Sequence, residues 1–215
     1  MNNPWLGLVV IGAMVIAALV ALPMLPDQIP IHWNAAGEPD DWASKWPAAL
    51  LAPGVALAMW ALFWLLPKID PRGAHYRRFW KTYWLLANVV ILFMALLHGV
   101  TLGAALGWAV EVDRVLVVAV GVLFLVLGYY LPRVPSNWWI GIRTPWTLES
   151  ESVWRRTHRL AGRTFPIGGL VTIAGVFLPP GYRPFAAMAG VTIAGSIPVV
   201  YSYIAWRRER RGSQP

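Results

Sequence analysis

The 215-residue chain has no cysteine. Disulfide scaffolds, thiolate metal sites, iron–sulfur clusters and cysteine nucleophiles are therefore excluded. Charge is scarce as well. Only 13% of residues are Asp, Glu, Lys or Arg, about half of what a soluble domain carries. Hydrophobic residues make up 58%, which excludes intrinsic disorder. What remains is an all-α polytopic membrane protein.

Six stretches lack any charged side chain and approach the length of a bilayer crossing: Pro4–Leu22, Trp46–Leu66, Tyr83–Gly107, Val115–Leu131, Thr164–Leu178 and Phe185–Trp206. The fifth is the shortest and ends at Pro179, Pro180 and Gly181, so four spans with a re-entrant hairpin is the alternative. The first resembles a leader only in its apolarity. Met1, Asn2 and Asn3 form no basic region, and Pro23 and Pro26 follow in place of a small-residue cleavage site. It reads as a retained span. Within the spans, His98 is the only side chain that titrates near neutrality, and its expected role is a hydrogen bond to a neighbouring Ser, Thr or carbonyl. This lack of buried charge disfavours an ion-coupled transporter. Gly99, Gly103 and Gly107, and separately Gly168, Gly169 and Gly175, read as helix-packing positions. Trp5, Trp46, Trp80, Trp84, Trp108 and Trp206 read as interfacial anchors.

The net charge of +8 is a matter of topology. The second and fourth loops and the tail hold 15 of the 18 basic residues and 4 of the 10 acids; the odd loops hold 3 basic and 6 acidic residues. The positive-inside rule then places both termini in the cytoplasm. Anionic lipid headgroups, not nucleic acid, are the expected partner of the basic side.

Two polar segments carry the remaining information. Residues 23–45 form an ordered outer loop, with prolines enforcing an extended path, Ile29, Ile31 and Trp33 alternating as in a strand, and Asn34-Ala35-Ala36-Gly37 forming a turn. His32, Glu38, Asp40 and Asp41 could bind a cation or act as acid and base, yet their spacing matches no strong metal motif; metal binding stays undetermined. Residues 128–162 hold Asn137-Trp138-Trp139-Ile140-Gly141-Ile142-Arg143-Thr144-Pro145-Trp146-Thr147-Leu148, then an amphipathic helix near 148–162. Thr147 is its expected cap, and its expected place is flat on the cytoplasmic surface.

Both segments resemble known patterns. Leu22-Pro23, Ile29-Pro30, His32, Asn34 and Gly37-Glu38-Pro39-Asp40, with Ser44-Lys45 after them, resemble an uncharacterised N-terminal domain often fused ahead of SdpI domains. Asn137, Ile140 to Leu148, Val153, Trp154, Thr157, His158 and Arg159 resemble the SdpI signature. One departure is Tyr129, where the family commonly has Asn before Tyr. The resemblance implies a multi-pass protein of the bacterial plasma membrane. The family's best-known member protects its host from a secreted, membrane-active peptide and signals by holding a winged-helix repressor at the membrane.

The expected organisation is an N-terminal domain at 1–66, a linking region at 67–114, an SdpI-like domain at 115–206 and a basic tail at 207–215. The leading functional reading is immunity or signalling by binding, with no catalytic residue and no cofactor. A hydrophobic peptide would meet His32, Asn34, Gly37, Asp40 and Lys45 outside. A repressor would meet Asn137, Gly141, Arg143, Thr144, Pro145, Trp146, Thr147, Trp154 and His158 inside. The alternative is a membrane hydrolase or lipid-modifying enzyme using His32 with Asp40, or Arg143 with His158. A small-solute or lipid transporter is the third reading.

Overall fold

The computed structural model describes residues 3–34 and 36–212. Met1 and Asn2 of the leader reading, Ala35 of the expected turn and residues 213–215 of the tail lie outside them. Among the described residues, six helical segments are long and apolar enough to cross a membrane, so this is an all-α polytopic protein. Their antiparallel succession puts the loop after the first helix at one end and the loop before the fifth span at the other.

Helix α1 (Pro4–Ala21) starts at an Asn3 cap with Pro4 in the first turn, where its missing N–H is harmless. Strands β1 (Gln28–Trp33) and β2 (Pro39–Ser44) pair antiparallel. The 23–45 loop is thus a two-stranded hairpin, one strand more than the sequence pattern indicated. Register irregularities beside His32 break the expected alternation. Ile29 is fully buried among Ala18, Leu22, Ala48 and Leu102, with Ala43 of β2 packed against the same cluster. Helices α2 (Lys45–Ile69) and α3 (Tyr76–Ala105) follow, and α1, α2 and α3 pack mutually. The expected linking region therefore contributes most of a helix that packs on the first two.

Helix α4 (Val112–Tyr130) begins the second group. A short helix α5 (Pro145–Glu149) precedes α6 (Glu151–Ala174). The last span is α7 (Arg183–Val191), a π-helical turn at Thr192–Ser196, and α8 (Ile197–Gly212). Helix α6 packs on α4, α7 and α8. Glycines permit the closest approaches: a Cβ on Gly121 would strike the Gly169 carbonyl, and one on Gly168 the Gly190 carbonyl. Gly99 instead faces open space, so the Gly99–Gly107 row is no packing stripe.

Two expectations change here. The amphipathic segment does not lie flat as a separate surface helix. It is the first half of α6, running without a break through Thr164 into the fifth span, so the short fifth segment gains enough length to cross and the re-entrant alternative falls. Its apolar face, with Val153, Trp154, Thr157, His158 and Ala161, meets protein, not headgroups. The cap is Ser150, which accepts from the Val153 N–H at 3.3 Å, while Thr147 belongs to the α5 capping box with Thr144. Trp84 also departs from its expected interfacial place. It is 1% exposed, packed with Tyr83, Trp80 and Trp60.

Three of the prolines inside spans, Pro53, Pro67 and Pro198, explain much of the helix pairing. Proline has no N–H, so it frees the carbonyl four residues earlier, and lipid offers no donor to replace it. Pro53 frees Ala49, whose carbonyl accepts from His98 Nε2 at 3.0 Å. Pro67 frees Phe63, whose carbonyl accepts from the Tyr83 hydroxyl. Pro198 frees Ala194, whose carbonyl accepts from the Thr164 hydroxyl at 3.4 Å, beside the π-helical turn. His98 is thus the carbonyl-bonded packing residue expected of it. Replacing His98 by Leu will cost about 1–2 kcal/mol in reversible unfolding from mild detergent. In a Pro53→Ala background, where residue 53 can bond Ala49 itself, the loss will shrink by at least half; an equal loss in both backgrounds refutes this role.

Candidate functional site

At the hairpin end, the turn organises around Asn34. Its Oδ1 accepts from the N–H groups of Ala36 (2.8 Å) and Glu38 (3.1 Å), and its own N–H donates to the Glu38 carbonyl. Gly37 has φ +81° and lies against Asp113, so a side chain there would be strained twice over. His32 Nδ1 donates to Asp40 Oδ1 at 2.6 Å, and both side chains are exposed. Asp41 accepts from the Trp42 N–H instead. Lys45 pairs with Asp27 at 3.1 Å. Among the described residues no three His, Asp or Glu side chains group as metal ligands.

Below the hairpin lie two apolar hollows that share Trp33. One of about 380 Å³ lies among α2, α3 and α4, with Leu51, Val55, Met94 and Leu97 in its wall. The other, about 190 Å³, lies between α4 and α7 and reaches Asn34, Gly37 and Arg183. Arg183, only 4% exposed, donates to Asp113 at 2.6 Å and to the Leu178 carbonyl at 3.1 Å. This buried ion pair joins α7 to α4 directly under the turn.

At the other end, residues 134–150 fold into a compact loop whose polar groups mostly point inward. Asn137 is fully buried. Its Oδ1 accepts from the N–H groups of Trp139 and Ile140, and its Nδ2 donates to the carbonyls of Pro135 and Ile140. Gly141 sits at φ +115°, and a Cβ there would collide with His158. His158 stacks on Trp154 with centroids 4.1 Å apart. Its Nδ1–H donates to the Trp154 carbonyl at 2.9 Å, and its Nε2 accepts from the Ile142 N–H at 3.0 Å. Both ring nitrogens are engaged, which defines one neutral tautomer. Thr144 and Thr147 cap each other, and Ser202 of α8 bonds Thr144 and the Trp146 indole. The loop's solvent face presents Trp138, Trp139, Arg143 and Pro145.

The groups that hold this loop to the first half of the chain were not among the residues singled out from the sequence. Asp70, 7% exposed, accepts from the Arg72 N–H (2.7 Å), the Tyr76 hydroxyl (2.8 Å) and the Trp138 N–H (3.0 Å). Arg72 donates to the Leu148 carbonyl at 2.6 Å, and His75 to the Ser136 carbonyl at 2.6 Å. On the far side, Glu209 of α8 accepts from Ser150 and Ser152, and the Trp206 indole donates to Glu149. One signal was available: Asp70 is the lone acid in a loop of five basic residues. Arg183 likewise is the lone charge of its short outer loop.

Residues 133–202 match the SdpI/YfhL protein family. Residues 9–57 match a domain of unknown function, DUF1648. The chain is 24% identical over 208 residues to the Immunity protein SdpI of Bacillus subtilis (strain 168), covering 97% of this chain and 98% of that protein. No solved structure matches. With six membrane-crossing helices, this is a multi-pass bacterial membrane protein. The geometry divides the SdpI signature in two. Asn137, Gly141, Thr144, Thr147, Trp154 and His158 face inward and build the loop; Arg143 and Pro145 face solvent, and Trp146 is half-buried against α8. The Gly141→Ala variant will lose about 1–3 kcal/mol of stability from backbone strain and the His158 collision. Arg143→Ala will stay within about 0.5 kcal/mol. Thermal unfolding in detergent compares them, and equal losses would contradict the division.

Proposed function

We propose that the chain is an SdpI-type immunity protein that protects a bacterium by binding a hydrophobic, membrane-active peptide, with no chemical step. The observation that carries this reading is the correspondence with an immunity protein from end to end, across both the hairpin and the SdpI loop. The charge asymmetry of the loops orients the hairpin outward and both termini inward. The peptide then meets the hairpin end, where the apolar hollows on either side of Trp33 can receive its side chains. The acidic outer surface at Glu38, Asp40 and Asp41 favours a cationic peptide. At the inner end, Trp138, Trp139 and Arg143 are the exposed groups available to a cytoplasmic protein such as a winged-helix repressor. Membrane lipids surround the rest.

The catalytic alternative has one observation in its favour, the His32–Asp40 contact. Its other pair has none, because His158 is buried with both nitrogens engaged while Arg143 points outward to bond the Trp138 carbonyl. Deleting the gene will sensitise the host to the peptide it resists, read as a lower inhibitory concentration. In cells complemented at equal expression, Trp33→Ala will lower protection strongly, whereas His32→Gln will change it less than about threefold. A general base at His32 would instead be worth about a hundredfold or more, so a loss of that size from His32→Gln favours the enzyme. An unchanged deletion strain across such peptides rejects immunity.

A further inference from the structure

The basic end of the molecule is uneven in how its cations are neutralised. Arg155 lies 4.0 Å from Glu151, and Arg133 stacks on Tyr129 and bonds its carbonyl. Lys68, Arg77, Arg78 and Lys81, where α2 ends and α3 begins, pair with no carboxylate among the described residues. The one acid in that loop, Asp70, is turned away from them and engaged by Arg72, Tyr76 and Trp138. Its oxygens are unavailable to the exposed cations.

Two of these cations, Lys68 and Arg77, border a cleft of about 530 Å³ between the two helix ends, walled also by Pro67, Gly73, Tyr76 and Trp80. Its wall is layered. Lys68 and Arg77 lie at its rim and are exposed. One turn further into the membrane, about 5 Å along each axis, are Trp64 and Trp80, both exposed and at the depth indoles favour. Lys68 Nζ already lies over the Trp64 ring. Below these, Ala61 and Leu57 continue the exposed face of α2. Cation, indole and aliphatic groups thus descend in the order of phosphate, glycerol backbone and acyl chain in a phospholipid.

We propose that this cleft is a specific site for one anionic phospholipid, with the headgroup phosphate between Lys68 and Arg77 and an acyl chain along Ala61 and Leu57. A bare phosphate would use only the rim, whereas a lipid uses all three layers, which is why the occupant is a lipid. Occupancy would also brace the α2–α3 junction, the element through which Asp70 holds the SdpI loop. The inference does not depend on the immunity reading.

The test uses the full-length protein, delipidated in mild detergent and offered equal phosphatidylglycerol and phosphatidylcholine in native mass spectrometry. The expected preference for phosphatidylglycerol is about tenfold, in line with two basic groups near a headgroup. Lys68→Gln combined with Arg77→Gln will bring it close to parity, while Arg208→Gln with Arg211→Gln on the tail will leave it intact. A preference that survives the first pair, or is lost equally in the second, overturns the site. Displacement of the lipid by excess inorganic phosphate also overturns it, since the cleft would then be an anion site. A measurement without mutation stands beside these: photoactivatable phosphatidylglycerol should label residues 61–81 of the unmodified chain above the other span ends. Even labelling of all ends refutes the proposal.

Discussion

Inside a bilayer a carbonyl without a donor has no water to turn to. That constraint organises the packing of this protein. Pro53, Pro67 and Pro198 lie where a span would otherwise be a simple rod, and each frees a carbonyl that a side chain of another helix satisfies: His98 for Ala49, Tyr83 for Phe63, Thr164 for Ala194. The bond is worth more in specificity than in energy. An apolar helix can slide and rotate against its neighbours with little penalty, because lipid tails are as apolar as leucine. A freed carbonyl accepts its donor in only one register. Helices α2 and α3 are registered twice in this way, near each end, and α6 is registered against the last span once.

With the helices set, the two ends of the molecule hold their loops by different means. The hairpin is anchored by the buried Ile29 and its neighbours Pro30 and Ala43, and by the contact of Gly37 with Asp113, itself tied to buried Arg183. Most of the rest of the hairpin is exposed, and apolar hollows lie beneath it. That is a surface suited to receiving another molecule. The opposite loop is dense with internal hydrogen bonds, and its aromatic neighbours Tyr76, Phe79, Tyr83, Trp84 and Trp154 form one buried cluster. Such a loop is suited to presenting a rigid face, here Trp138, Trp139 and Arg143. A long shared motif therefore need not be a long binding site. Most of this one is the scaffold that holds a small exposed part.

Asp70 shows how the two halves become one molecule. It lies outside the SdpI match and beyond the DUF1648 match, yet it gathers a backbone N–H from its own loop, a hydroxyl from α3 and an N–H from the SdpI loop. A carboxylate with that many donors is held firmly, because removing it leaves each donor unsatisfied. Glu209 has the corresponding place on the far side, joining the last helix to the hydroxyls of Ser150 and Ser152.

Composition and spacing alone determined that the chain lives in lipid, where its candidate spans lie and which of its loops are basic, because hydropathy and charge are local properties that each residue carries wherever it goes; that the short fifth segment crosses came only with the unbroken α6. The same local logic found the Asn34–Gly37 turn and the carbonyl-bonded role of His98. What only the tertiary structure decided is which polar residues face inward. Periodicity marked an apolar stripe from Val153 to Ala161 but could not say whether headgroups or neighbouring helices would cover it, and neighbouring helices do. Trp84 looks like its neighbour Trp80 in sequence and is buried only because α2 and the 134–150 loop close over it. His158 and Arg143 stand close in one motif and point opposite ways. These outcomes depend on partners distant in sequence, such as Asp70 with Trp138 or Thr164 with Ala194. A hydrogen bond between distant residues leaves no periodic trace in the chain that forms it.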